Sequence, residues 1–145
     1  MSVIFSRECE YALQAVMYIA MREGEMVRSR EMARRLRIPY HFLGKILQRL
    51  TGKGLLVSSK GPSGGFALSM PTKDITLFHI VDAIDGVTFA NRCVLGFPDC
   101  SGKQPCAVHE ELGTIRESIY NMLVARNVSQ LGAAMQKPAY KTRRR

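Results

Sequence analysis

Apolar residues recur at steps of three and four along most of the chain, the rhythm of helices with one buried face. Leu13, Val16, Met17 and Ala20 predict a first helix over residues 7–22, with Ser6 as its cap and Glu8 and Glu10 in the turn where the helix dipole favours acids. Met32, Ala33 and Leu36 predict a short second helix over 29–36, capped by Ser29. Pro39 opens a third helix over 40–52, with Phe42, Leu43, Ile46, Leu47 and Leu50 on one side. Residues 55–59 and 66–69 read as two strands joined by the turn-rich stretch 60–65. Leu77, Ile80, Val81 and Ile84 mark a fourth helix over about 76–85, capped by Thr76 and stopped by Gly86. Val108, Leu112, Ile115, Ile119 and Met122 alternate steps of four and three along a long helix. It starts near Pro105 and Cys106 and runs to about Arg126, and a short helical turn follows near 129–135.

A short helix, a brief turn and an amphipathic helix form a helix-turn-helix, and a hairpin directly after it is a wing. The expected fold is mainly α with a small β-hairpin: a winged helix-turn-helix head plus a long dimerisation helix. The division expected is a head over 1–87, a cysteine-rich loop over 88–110, a dimerisation region over 106–136 and a basic, mobile tail over 137–145. The 3.5-residue rhythm of the long helix suits a seam against a partner or against the chain's own core; periodicity alone leaves both open.

Charge adds a partner. The net charge is +9, yet residues 28–53 hold eight Lys/Arg against Glu31, and residues 137–145 hold five more with no acid. Concentrated charge of this kind marks a polyanion-binding face, with nucleic acid the usual partner, over the plainer option of a solvated basic surface. On the helix-turn-helix reading, His41, Lys45, Gln48 and Arg49 face the major groove. Ser29 and Arg30 contact the backbone, and the wing, with Lys60, Gly61, Pro62, Ser63 and Gly64, enters the flanking minor groove. The wing's glycines would let backbone approach phosphate closely. A twofold dimer implies double-stranded DNA with a palindromic site. No apolar run approaches the roughly 20 residues of a bilayer span, and the first residues lack a signal-peptide pattern. The expectation is a cytoplasmic protein with no membrane partner. No Gly-rich nucleotide motif follows a strand and no nucleophile–base signature is found, so an enzyme is not expected.

Candidate chemistry is concentrated in one loop. Cys93, Cys100 and Cys106, followed by His109, fall in a stretch rich in glycine and proline that can fold back and bring sulfurs together. In a reducing compartment, clustered cysteines suggest metal or redox chemistry before disulfides. Spacing alone does not separate an iron–sulfur cluster from a Cys₃His zinc site or a metal-free thiol sensor. Cys9 lies among the apolar positions of the first helix and reads as a small packing residue.

Tyr11-Ala12-Leu13, Phe42-Leu43 with Leu47 and Leu50, the wing Gly61-Pro62-Ser63-Gly64-Gly65-Phe66 and the cysteine loop together resemble the iron–sulfur winged-helix regulators of the IscR, NsrR and RirA type, with CymR a cluster-free relative. The likeness runs from about Phe5 to Leu131. It implies a dimeric regulator, a repressor on this reading, whose operator binding is controlled by a cluster that senses iron, redox state or nitric oxide. By that resemblance Cys93, Cys100 and Cys106 are thiolate ligands of an iron–sulfur cluster, [2Fe–2S] favoured over [4Fe–4S]. The fourth ligand is His109, as in IscR-like members, or Glu10 from the partner subunit, as in NsrR-like members. Two departures stand out. The first cysteine gap holds six residues where IscR-type members have five, and Gly44 stands where they carry a glutamate that helps switch operator choice. The alternative is a metal-free or zinc-containing thiol sensor on the same fold.

Overall fold

A computed structural model describes residues 4–22, 24–87 and 91–135. The basic tail over 137–145 and the first residues of the cysteine stretch, 88–90, lie outside the described residues. Helix α1 (Arg7–Ala20) is followed by α2 (Ser29–Leu36), α3 (Tyr40–Gly52), strands β1 (Leu56–Ser59) and β2 (Gly65–Leu68), a 3₁₀ turn (Thr72–Asp74), α4 (Leu77–Ile84), α5 (His109–Ala125) and α6 (Val128–Met135). This is the mainly helical winged-helix arrangement expected.

Caps decide where the elements begin. Ser6 stands in extended backbone and accepts from the Cys9 N–H at 3.0 Å, which fixes the start of α1. Thr76 and His79 form a reciprocal capping box at α4. Ser29 does not cap α2: extended backbone at Arg28 makes that residue the cap, and Ser29 is the first helical residue. Likewise Pro39 is the cap of α3, one position before the place expected for it. Arg37, between the two helices, adopts a left-handed backbone with φ 57°, and its N–H closes the end of α2 on the Ala33 carbonyl. That conformation turns the chain sharply enough to set α3 across α2.

The core lies beneath α3. Leu43, Ile46, Leu47 and Leu50 are fully buried, against Ala12, Val16 and Met32 from α1 and α2 and Ile80 and Val81 from α4. Burying each such leucine or isoleucine contributes about 1.5–3 kcal/mol. Tyr18 and Arg22 both donate to Glu31, at 2.9 and 2.8 Å, and tie α1 to α2 at the rim.

The hairpin pairs Leu56 with Leu68 through Ser59 with Gly65, antiparallel. Val27, just before α2, adds a bridge on the outer edge by exchanging two 2.8 Å hydrogen bonds with Phe66. A side chain at Gly65 would meet the Val27 carbonyl oxygen at 2.5 Å, and one at Gly64 the Ser59 carbonyl oxygen at 2.3 Å. These two wing glycines therefore serve the close approach of the chain to itself. Gly61, with φ 95° and open space around it, is the glycine left facing outward.

Helix α5 begins at His109, three residues later than expected: residues 105–106 are irregular and 107–108 form a turn. Its far end is fastened to the head: Leu77 donates to the Arg126 carbonyl at 3.0 Å, Val128 to the Ile75 carbonyl at 2.8 Å, and the Phe78 and Tyr120 rings meet edge to face. Among its described residues only Leu123 is buried; Ile115 is 54% and Met122 46% exposed. The seam read from the sequence is thus divided: Ile119 packs on the core and Val108 and Leu112 are half-buried, while Ile115 and Met122 stand uncovered within one chain.

Candidate DNA-reading cleft and cysteine centre

The N-terminus of α2, one side of α3 and the wing enclose a cleft of about 440 Å³. Ser29, Arg30, Gln48, Lys60, Gly61 and Gly64 line it, so six of the residues singled out from sequence are brought together. Arg28, Tyr40, Thr51, Ser58 and Ser59 line it too and were missed. Helical spacing held the signal for Tyr40 and Thr51, since positions 40, 44, 48 and 51 share one side of α3. The Arg30 guanidinium lies 4.9 Å over the Tyr40 ring, a cation–π contact that holds the cation at the mouth of the cleft. His41 and Lys45 are exposed on the outer face of α3, and Pro62 and Ser63 are exposed at the wing tip.

Arg49 is placed elsewhere. It occupies the flank of α3 that faces α1, seven residues after Phe42, whose ring packs edge to face on Tyr11 at 5.7 Å. One guanidinium nitrogen pairs with Glu8 at 2.5 Å and the other donates to the Ile84 carbonyl at 2.8 Å.

In the cysteine loop, the sulfurs of Cys93, Cys100 and Cys106 all lie within 4.8 Å of one another. The Cys93 and Cys106 sulfurs stand 3.7 Å apart, and the Cys100 sulfur lies 3.2 Å from His109 Nδ1. The turns do the gathering. Gly96, at φ 80°, accommodates the bend after Cys93, with its N–H bonded to the Cys93 carbonyl, and Ser101 and Gln104 bond each other across the second bend. The late start of α5 sets Cys106 and His109 on one turn, with the His109 N–H on the Cys106 carbonyl at 3.2 Å. Asn91, Leu112 and Arg116 complete the lining. Arg116, seven residues along α5 from His109, is a cation beside three thiols that the sequence reading did not single out. Glu10 sits on α1 with an ion pair to Arg7 at 3.9 Å, outside this sulfur cluster within one chain.

Electrostatics separate Cys93, Cys100 and Cys9. Partial burial pushes the Cys93 thiol up, but the backbone N–H groups of Phe97 and Leu95, followed by the Cys106 and Cys100 thiols, outweigh it and bring it from 9.0 down to about 7. The Cys106 backbone N–H lowers Cys100, yet burial and the sulfurs of Cys106 and Cys93 leave it raised. Cys9 is wholly buried, and burial, then the carboxylates of Asp85, Glu10 and Glu8, push it up to about 12. One thiol poised to ionise among three that converge is a donor set for a soft or borderline metal. Three sulfurs and an imidazole nitrogen fit both zinc and iron–sulfur chemistry.

A winged helix-turn-helix with a basic cleft defines the class: a DNA-binding transcriptional regulator. The chain belongs to the Rrf2 family, whose model, described as an iron-dependent transcriptional regulator, matches residues 5–134. It is similar to a protein of Aquifex aeolicus named as an HTH-type transcriptional regulator, 30% identical over 89% of this chain and 91% of that one. It is also similar to the HTH-type transcriptional regulator IscR of Serratia proteamaculans, 29% identical over 78% of this chain and 69% of that one. Among solved structures, CymR, the global cysteine regulator of B. subtilis, superposes with a TM-score of 0.77 at 21% identity, covering 92% of this chain and 98% of that one. IscR of T. potens gives 0.72 at 21% identity over 99% and 94%. These relatives are transcriptional regulators, not enzymes. Among the described residues no helix is long and apolar enough to cross a membrane.

Proposed function

We propose that this regulator binds a palindromic operator as a homodimer, acting as a repressor, and that an iron–sulfur cluster held by the cysteine loop controls that binding. The observation that carries the reading is the convergence of the Cys93, Cys100 and Cys106 sulfurs, with His109 lining the same cavity. Histidine beside cysteine is an attested ligand of [2Fe–2S] centres, and the nearness of His109 to Cys100 supports that type over [4Fe–4S]. His109 Nδ1 lies 3.2 Å from the Cys100 sulfur and lines the same cavity, which supports it over Glu10 as the fourth ligand. Relatives named IscR and a family described as iron-dependent support iron. When bound, the cluster supplies a signal-sensitive link between turns that otherwise share only hydrogen bonds. Residues 1–87 form the DNA-binding head, 88–110 the cluster loop, 106–136 the dimerisation region and 137–145 a basic tail. The uncovered face of α5 at Ile115 and Met122 supports its role against a second copy. Ser29, Arg30, Gln48, Lys60, Gly61 and Gly64 contact DNA from the cleft, with His41, Lys45, Pro62 and Ser63 around it. Iron and sulfide measured on anaerobically purified protein, with the visible spectrum, test the reading. Each of Cys93→Ala, Cys100→Ala and Cys106→Ala is expected to lose the visible absorbance. Full absorbance in all three variants would refute the cluster.

One observation favours a second reading. Zn–S bonds of about 2.3 Å in a tetrahedron put sulfurs about 3.8 Å apart, and Cys93 and Cys106 already stand at 3.7 Å. A single zinc ion would make the loop a structural or thiol-sensing element. Stoichiometric zinc without sulfide in the same analysis would select it.

A further inference from the structure

We infer that Arg49, although it belongs to the basic helix of the helix-turn-helix, is a positioning residue that ties α3 to the junction from which the cysteine loop departs, and not a reader of base edges. This rests on the DNA-binding reading above. To read a guanine, an arginine must present two N–H groups to the groove. Here, although the side chain is 45% exposed, both outer nitrogens are engaged by the chain itself, one by Glu8 at 2.5 Å and one by the Ile84 carbonyl at 2.8 Å. The flank of α3 that carries Arg49 also carries Phe42, and both meet α1, three residues apart at Glu8 and Tyr11.

The anchor is also the exit of α4. Ile84 is its last residue and Asp85 its cap. The Asp85 carboxylate accepts from the Ser6 N–H at 2.8 Å and from the Ser6 hydroxyl, so the starts of α1, the end of α4 and Arg49 form one knot. Ser6 and Asp85 line the same groove as Arg92, Cys93 and Val94 of the cysteine loop and Leu112 and Ile115 of α5. A shift of the loop against that groove moves the end of α4, and Arg49 carries the movement into the recognition helix. The Glu8 pair is partly exposed on both sides, and such pairs add little stability. What the bidentate arrangement adds is orientation.

The test uses the reduced, metal-free full chain with a duplex recovered by that protein from a randomised pool, beside a scrambled duplex. Affinity for both is measured, together with the iodoacetamide alkylation rate of Cys93 with and without DNA. Coupled sites typically shift one another by about fivefold or more. The wild-type Cys93 rate should change by at least that factor when the recovered duplex binds. Arg49→Ala should reduce the change to within about twofold and keep the preference for recovered over scrambled DNA, and Arg49→Lys, which can still meet Glu8, should restore part of it. Unchanged melting temperature of both variants shows that folding is not the cause. A preference lost about tenfold in Arg49→Ala would make Arg49 a base reader and overturn the inference. A wild-type Cys93 rate indifferent to bound DNA would also overturn it and leave DNA binding standing, whereas recovery of no duplex by either the metal-free or the anaerobically purified chain would sink the DNA-binding reading itself.

Discussion

The reading head and the cysteine loop are built by opposite means. Helix α3 is held from beneath by four fully buried side chains, Leu43, Ile46, Leu47 and Leu50. The loop carries large apolar residues as well, but Val94, Leu95 and Phe97 are 61%, 54% and 58% exposed, and its turns are closed by backbone hydrogen bonds and by the sulfurs themselves. Recognition of a duplex needs side chains fixed in place, so the head draws its order from packing. A sensing element needs an order that a ligand can grant or withdraw, and segments with few buried contacts open at low free-energy cost.

The sharpest way to break this contrast is to remove apolar groups from each region in turn. Leu47→Ala deletes a buried side chain and should cost about 2–5 kcal/mol, read as a lower denaturant midpoint. Phe97→Ser, at an exposed loop site, should stay within about 0.5 kcal/mol of the parent. A comparable loss from both would mean that the loop is packed in solution. Glycines sharpen the same contrast with a smaller effect. Gly65 has φ 145°, and an added Cβ would lie 2.5 Å from the Val27 carbonyl oxygen, so Gly65→Ala should cost about 1–3 kcal/mol and loosen the wing. Gly102→Ala, in the loop with open space and no positive φ, should be nearly neutral in thermal melts.

Legibility in the sequence follows the same line. Elements whose apolar faces are buried announce themselves by period, which is why α3 was read with its true limits and α4 to within one residue at each end. Their caps were read less well, because a cap depends on one residue's backbone: Ser29 has the right chemistry, but the extended conformation falls on Arg28. In the site, residue type and spacing found the three sulfurs and His109, which share one cavity. Tyr40 and Arg116 escaped because an exposed tyrosine and an arginine on a long helix gain meaning only from what stands across from them. Arg49 shows the limit most clearly. Its position in a basic amphipathic helix gives no hint that an acid from α1 and a carbonyl from α4 engage both its outer nitrogens.

The same residue type placed in both regions gives the finest test of the contrast. Cys9 is sealed against Asp85 beneath the start of α1, where burial and then neighbouring carboxylates hold its thiol up to about 12, while Cys93 in the loop is drawn down to about 7. In metal-free protein near neutral pH, iodoacetamide should therefore modify Cys93 and leave Cys9 untouched until denaturant is added, as mass spectrometry of digested protein would show. The effect on stability is smaller and has a definite sign. A folded-state value above the unfolded 9.0 means that the folded chain keeps its Cys9 proton while the unfolded chain loses it. The contribution is fully present below about pH 9 and is lost progressively as pH rises towards about 12. Lysines and tyrosines titrate in the same range, so the informative quantity is the difference in urea midpoint between parent and Cys9→Ala followed from pH 7.5 to 10.5, a range of about three units. That difference should narrow steadily as pH rises, since the alanine variant has no proton to hold. A difference that stays constant across the range would mean that Cys9 reaches solvent in the folded state, and that the start of α1 is as loosely sealed as the loop.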